Sequence, residues 1–468
     1  MRTKANSRVL PLNLAPIDAF FRADDTTTHP MTSVIELDFG GALHEGAFKA
    51  ALATALDRHP LLAAIVQRAK GNRLCWVPMT ADLPRIDWGP MDQPVAIGAS
   101  EAIDLTLDCG IRIWVRVGDA TSRLTLQVHH ACTDGTGIYR FLGDLLAVYG
   151  METSQGGELP RLSPVDASLL RNRRRKMAAV AVEGRALKFI WLGLREALNV
   201  FGTTVTPIAP PQSPNLQLRG GVSFPGIHTV EFSHDEHQQL RQRAAAVGGM
   251  VNDLLLCEMF RTMAEWNREQ GRGGLHDRLR IMMPFDLRDQ HDYAMPAANM
   301  TAYTFLTRRV GACADVDTLL ADMRDATARI KQGRAGTEFV DALMLAEHAP
   351  AVLPFLLRLN RCLASVTLSN VGDPSKRFTA TFPRDRGRVV CGNVVLEGVR
   401  GVPPLRNLMH ATVATFSYLR KLTICMRCSP LIFSDAAAES LLGTFTDNLR
   451  ARAEEGRSAS LAAVRKSA

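Results

Sequence analysis

Leu124-Thr125-Leu126-Gln127-Val128-His129-His130-Ala131-Cys132-Thr133-Asp134-Gly135 is the stretch on which the reading of the chain turns. Apolar residues alternate with polar ones from 124 to 128, the pattern of a half-buried strand, and the strand runs straight into a polar turn. Residues 137–149 then read as an amphipathic helix. A turn there lifts one histidine clear of the sheet, and Gly135 lets the backbone bend or approach a ligand with no Cβ in the way. With an ordinary pKa of about 6.5, such a histidine takes a proton from an alcohol or amine at neutral pH. Asp134, four residues on, can orient a ring or hold the turn through a buried ion pair. Spacing alone leaves a second reading open, in which polar residues close a strand and no chemistry follows.

Outward from this stretch the chain alternates strand and helix. A strand over 31–40 and a helix over 45–58 precede it, the helix stopping before His59-Pro60 because a residue ahead of proline disfavours the helical region. A strand over 111–117 lies between. Residues 166–226 differ, with Gly156-Gly157 just before them, the basic run Arg171-Asn172-Arg173-Arg174-Arg175-Lys176, an apolar stretch over 188–201 and prolines at 207, 210, 211 and 214. They read as a crossover between an N-terminal lobe, 1–165, and a C-terminal lobe, 227–468. After it the alternation restarts with a strand over 228–232 and a capping box, Ser233 with Glu236, opening a helix to about 246. Further helices are expected over 252–268, 316–331, 338–347 and 434–453, and strands over 280–284, 302–308, 364–369, 389–396, 412–418 and 422–427. The class is α/β (α+β), in two halves of comparable size.

Composition agrees with a large globular chain: 468 residues, 46% hydrophobic and 22% charged, enough to bury two cores. Nine cysteines, an odd number without framework spacing, fit a reducing cytosol. Prolines 11 and 16 break the apolar N-terminal stretch, so no signal-peptide core is expected, and no run is long enough for a membrane span. The net charge of +8 favours anionic partners. No recognised nucleic-acid-binding module is present, so nucleic acid is not expected as a partner. Neither G-x-S-x-G nor G-x-x-x-x-G-K-[ST] occurs, which removes the sequence warrant for hydrolase and P-loop readings.

His129-His130-Ala-Cys-Thr-Asp134-Gly135 resembles the HHxxxDG signature of the superfamily that joins chloramphenicol acetyltransferase, peptide-synthetase condensation domains, plant BAHD acyltransferases, polyketide-associated acyltransferases and wax ester synthase/diacylglycerol acyltransferases. Four further stretches match in order: Arg58-His59-Pro60-Leu61-Leu62, Val251-Asn252-Asp253, Met283-Pro284-Phe285-Asp286-Leu287-Arg288 and Leu368-Ser369-Asn370-Val371-Gly372. The resemblance implies a pseudodimer of two chloramphenicol-acetyltransferase-like lobes, each a mixed sheet with helices, with an interlobe tunnel that an acyl thioester and an acceptor enter from opposite faces. It implies His130 as general base, His129 as its structural companion, Asp134 as the residue that holds the motif through an arginine, for which Arg288 is the candidate, and Gly135 as the residue that leaves room at the channel. Ser369 and Asn370 would face substrate or oxyanion across it.

The plant branch's Asp-Phe-Gly-Trp-Gly loop is missing, since Asp38-Phe39-Gly40-Gly41 stands at the wrong end of the chain. Ser369-Asn370-Val371-Gly372 and residues 398–406 look closest to the wax ester and polyketide-associated branches. The expected reaction is therefore transfer of an acyl group from acyl-CoA or an acyl-carrier protein to a hydroxyl, with amide formation from carrier-bound substrates and non-catalytic lipid binding as the alternatives. No metal and no permanently bound cofactor are expected; coenzyme A or a phosphopantetheine thioester is the co-substrate, and the enzyme is expected to be a cytoplasmic monomer. The basic run at 171–176 has two readings, a solvated loop or a contact for lipid, carrier or coenzyme A phosphates, and the 188–201 stretch has two, a peripheral membrane contact or a helix covering the lobe interface. Cys132 is read as a spacer inside the motif, and Cys425-Met-Arg-Cys428 as two strand residues on opposite faces.

Overall fold

The computed structural model of the protein describes residues 9–467 apart from 70–72, 80–83, 98–99, 174–185, 213–223, 333–336, 350 and 360. The first part of the chain forms β1 (Leu12–Asn13), α1 (Pro16–Asp24), β2 (Thr32–Gly40), α2 (Glu45–Arg58), β3 (Ala64–Arg68), β4 (Leu74–Pro78), β5 (Ile86–Pro90), β6 (Ile111–Val117), β7 (Thr121–His129) and α3 (Gly135–Thr153). Beyond it come α4 (Ala186–Gly202), β8 (His228–Phe232), α5 (His234–Ala246), α6 (Val251–Glu269), β9 (Arg278–Asp286), β10 (Thr301–Arg309), α7 (Val316–Gln332), α8 (Thr337–Ala346) and α9 (Val352–Arg358). The last part forms β11 (Val366–Gly372), β12 (Arg384–Asp385), β13 (Arg388–Cys391), β14 (Val394–Val402), β15 (Ala411–Phe416), β16 (Leu422–Cys428) and α10 (Asp435–Ser467).

Two mixed sheets carry the lobes. One has seven strands in the order β12-β13-β14-β2-β7-β6-β5, the other six in the order β10-β9-β11-β15-β16-β8, and β1, β4 and β3 form a small third sheet. The two-lobed α/β architecture expected from the sequence is the one observed, with one apolar core under the seven-stranded sheet and a second under the six-stranded one. Alternation along β7 puts Leu124, Leu126 and Val128 in the first core, while Thr125 and Gln127 face the other side and bond Glu36 and Thr32. α5 opens on its capping box, the Ser233 hydroxyl accepting from the Glu236 N–H at 3.2 Å and the Glu236 carboxylate from the Ser233 N–H at 2.7 Å.

Three departures from the sequence reading have simple causes. The strand expected over 389–396 is a hairpin: β13 turns into β14 through Gly392-Asn393, with Cys391 paired to Val394, and Gly392 supplies the positive φ of 62° that a two-residue turn needs at its first position. Secondly, β12 to β14 belong by sequence to the range 227–468 but complete the other lobe's sheet, because β14 pairs with β2 and covers what would be an exposed edge. Thirdly, α1 sits in the segment that its prolines made look irregular; Pro16 occupies the first helical turn, where proline is tolerated.

In the crossover, Arg173 is not a solvated or ligand-facing charge: it is buried and paired with Asp18 at 3.1 Å. Arg174, Arg175 and Lys176 lie outside the described residues. α4 packs against α8 so closely that a Cβ on Gly193 would stand 3.2 Å from the Asp341 backbone, and it leaves Trp191, Leu194 and Leu198 exposed on its other face. Among the described residues no helix is long and apolar enough to cross a membrane.

Candidate active site

β7 ends at His129, and the chain turns at once, the Cys132 N–H bonding the His129 carbonyl at 3.0 Å. The two histidines part company there. His129 is sealed in: its Nδ1 accepts the Ala131 N–H at 3.1 Å, which leaves the proton on Nε2, 3.6 Å from the Asp25 carboxylate. His130 lines a cleft between the lobes. Its backbone is held on both sides, the N–H donating to the Met31 carbonyl at 2.7 Å and the carbonyl accepting from Asn299 Nδ2 at 2.7 Å.

His130 is 8% exposed, and among the described residues its buried Nδ1 has no hydrogen-bond partner beyond its own residue, so Nε2 is the nitrogen left to face the cleft. Burial lowers its pKa to about 4; its own backbone and the Asp134 carboxylate pull the other way without overcoming desolvation. The imidazole is therefore neutral across the physiological range and free to accept a proton. Phe21 lies flat against it, ring centroids 4.0 Å apart and planes 19° from parallel.

Asp134 caps α3, one oxygen accepting the Gly137 N–H at 2.8 Å and the other the Met300 N–H at 2.7 Å and Arg288 Nη1 at 2.8 Å. Both partners of the ion pair are buried. Burial favours the neutral carboxyl, but the Arg288 charge and three donors outweigh it and hold Asp134 below the usual carboxylate range. Arg288 also donates to Asp286 at 3.0 Å and to the Ala298 carbonyl at 2.7 Å, so the segment 288–300, joining β9 to β10, closes over the motif.

His59, at the end of α2, is part of the same clasp. Its Nδ1 accepts the Ala297 N–H at 2.7 Å and its Nε2 faces Asp144 at 3.1 Å, which also receives Arg58.

The cleft spans about 970 Å³, its solvent-open part included. Side chains of both lobes line it: Val34, Val128, Ile138 and Tyr139 from one, Phe285, Tyr303 and Phe416 from the other. Asp134, Gly135, Ser369 and Asn370 are also on its wall. The Asn370 amide donates to Asn252 Oδ1 at 3.3 Å and its oxygen accepts the Gly372 N–H at 3.1 Å. A Cβ on Gly135 would meet nothing within 4 Å, whereas one on Gly137 would stand 2.1 Å from Thr133 Oγ1 and 2.8 Å from the Ala298 carbonyl. The sterically obligatory glycine is thus Gly137, two residues past the motif in the first turn of α3. Cys132 is fully buried, and burial pushes its thiol far up, away from nucleophilic use.

Sequence reasoning missed Phe21, Asn299, Gly137, Tyr139 and Tyr303. Only Gly137 left a trace, as a second glycine two residues past the first.

The fold is similar to that of solved condensation domains and of acyltransferases. The trichothecene 15-O-acetyltransferase of Fusarium sporotrichioides matches with a TM-score of 0.68 and 11% identity over 97% of both chains. Polyketide synthase associated protein 5 from Mycobacterium tuberculosis matches at 0.58 and 14%, covering 95% of this chain and 98% of its own. The starter condensation domain of rhizomide synthetase, solved as a point mutant in complex with C8-CoA, matches at 0.61 and 12% over 95% of both chains. By sequence the chain is 27% identical over 383 residues, 77% of its length and 83% of theirs, to an uncharacterized protein found in two strains of Mycobacterium tuberculosis. No family model matches it.

Proposed function

We propose that the protein is an acyltransferase that moves an acyl group from a thioester, acyl-CoA or acyl-carrier protein, to a hydroxyl acceptor. The observation that carries this reading is the neutral His130 imidazole, with one nitrogen sealed and the other open to a cleft between lobes of this fold.

His130 Nε2 takes the acceptor's proton as its oxygen attacks the thioester carbonyl. The tetrahedral oxyanion collapses, the carbon–sulfur bond breaks, and the imidazolium gives its proton to the departing sulfur, releasing the free thiol and restoring the neutral imidazole. The thioester is already activated, so no covalent acyl-enzyme is required. The imidazolium that forms in between is stabilised by the Asp134 carboxylate, whose charge already acts on this ring. Ser369 and Asn370, on the wall of the second lobe, are the polar groups proposed for the oxyanion or substrate. Holding both reactants in one narrow cleft supplies the remaining advantage, several kcal/mol in well-oriented systems. The neighbour solved with C8-CoA supports a coenzyme A donor, and the O-acetyltransferase supports a hydroxyl acceptor.

The test is purified protein with octanoyl-CoA or an octanoyl-carrier protein, each against an alcohol and an amine. Ester formation that falls by at least ~10²-fold in His130→Ala, with circular dichroism unchanged, is the expected result. Amide product from the carrier-bound donor alone would establish condensation instead. Unaltered turnover in His130→Ala would remove the general-base reading. Absence of turnover together with lipid retained in native mass spectrometry would make the cleft a binding site.

A further inference from the structure

We propose that Phe21 is a positioning residue for this reaction, its ring face setting the rotation of the His130 imidazole so that Nε2 points into the cleft. This deepens the acyl-transfer reading and rests on it for its kinetic consequence.

A general base is ordinarily oriented by a third group that bonds its other nitrogen. Here, among the described residues, Nδ1 of His130 has no partner beyond its own backbone, and Asp134 spends its oxygens on Arg288 and two backbone N–H groups. The flat contact with Phe21, 4.0 Å between centroids, lies against the face of the ring and limits its rotation.

Phe21 is itself held in place. It meets Phe20 at 5.4 Å and Tyr303 at 6.1 Å, both edge-on, and Phe339 closes the circle against Tyr303 at 5.6 Å and Phe20 at 5.3 Å. These rings come from α1, β10 and α8.

α1 is fixed to both lobes by carboxylates on either side of Phe21. Asp18, fully buried, accepts Trp76 Nε1 at 3.0 Å and both terminal nitrogens of Arg173 at 3.2 and 3.1 Å. Asp24 accepts Arg406, whose guanidinium also covers Phe20 at 5.3 Å. A helix tied this way delivers one ring face to a defined place.

The experiment compares Phe21→Leu, apolar and of similar size but without a flat face, with Phe21→Tyr, which keeps the ring. Phe21→Leu is expected to lower kcat ~10- to 100-fold with little change in KM, while Phe21→Tyr stays within about threefold of the parent. In protein with 15N-labelled histidine, His130 should show one tautomer in the parent and in Phe21→Tyr, and averaged ring nitrogens in Phe21→Leu. Asp134 and His129, the titratable neighbours whose charges reach the ring, are unchanged in all three.

Equal kcat in Phe21→Leu and the parent, or equal losses in both variants with an unaltered His130 spectrum, would overturn the proposal. Phe21→Met replaces Phe21→Leu, under the same criteria, where circular dichroism shows the latter unfolded. The spectrum decides the matter even if no acyl donor is turned over, so failure of the acyl-transfer reading is distinguishable from failure of this one.

Discussion

The side-chain amide of Asn299 donates to the backbone carbonyl of His130 at 2.7 Å, and the two residues belong to different lobes. The backbone of His130 is therefore held in part by the lobe that does not carry it. The same segment supplies Arg288 and the Met300 N–H to Asp134, so the turn of the motif is a shared construction across the interface.

Replacing Asn299 with Leu leaves the His130 carbonyl, at a buried site, without its donor. A loss of about 1 to 3 kcal/mol is expected from an orphaned buried acceptor. Urea denaturation reads the stability, and single-turnover acyl transfer should slow more than binding weakens. An Asn299→Leu protein as stable and as fast as the parent would show that the bond is dispensable.

Arg288 and Asp134 form a buried pair, and removing one partner strands the other's charge. Arg288→Met is expected to destabilise by roughly 3 to 5 kcal/mol, with Asp286 left to bear on the freed site. The double change Arg288→Met with Asp134→Leu should cost less than the sum of the single changes. Thermal and chemical denaturation of all four proteins completes the cycle; strict additivity would show the charges to be uncoupled.

The pKa of His130 predicts two pH effects. Activity that depends on the neutral ring should hold as pH falls past 6.5 and fail near pH 4, so the acid limb of kcat/KM lies near 4. Stability behaves differently. Between the ordinary value of 6.5 and about 4 the unfolded chain binds a proton that the folded one refuses, so stability falls as pH drops through that window and levels below it. His59, lowered chiefly by burial, contributes in the same direction. Denaturant midpoints in parent and His130→Gln across pH 4 to 7 isolate the His130 share, and an identical slope in both would contradict it.

Gly135, the last residue of the motif, and Gly137, two residues beyond it, should respond oppositely. Gly137→Ala drives a Cβ into Thr133 and the Ala298 carbonyl and is expected to destabilise by about 1 to 3 kcal/mol, as overpacking does. Gly135→Ala meets open space at the start of a helix and should be neutral or slightly stabilising. Melting temperatures of the two variants decide it. If Gly135→Ala leaves stability unchanged but lowers activity, the open space beside it is one the substrate occupies.

Much of the fold lay open in the pattern of residues. β7, α2, α3, β8 and the capping box of α5 are set by alternation, by helical spacing and by punctuation at His59-Pro60 and Ser233, all of which act within a few residues. β3, β4 and β5 escaped notice because they do not alternate as the equally short β8 does: Ala64-Ile65-Val66 and Leu74-Cys75-Trp76-Val77 are unbroken apolar runs, and β5 ends on Gly89-Pro90. The hairpin at Gly392 looked like one strand because a two-residue turn interrupts an apolar run without changing its composition.

The stretch 129–135 was legible as a strand running into a polar turn, because those are local facts, and it was the resemblance to HHxxxDG, not the spacing alone, that pointed to chemistry there. What surrounds it was not local. Phe21 lies 109 positions before His130 and Asn299 lies 169 after it, and nothing in the residues at either position advertises the meeting. Arg173, one charge of a basic run, turned out to be a buried partner of Asp18 for the same reason. Period and punctuation report on neighbours along the chain, whereas the rotation of a ring, the pairing of a buried charge and the width of a cleft depend on contacts that exist only after distant segments have packed together.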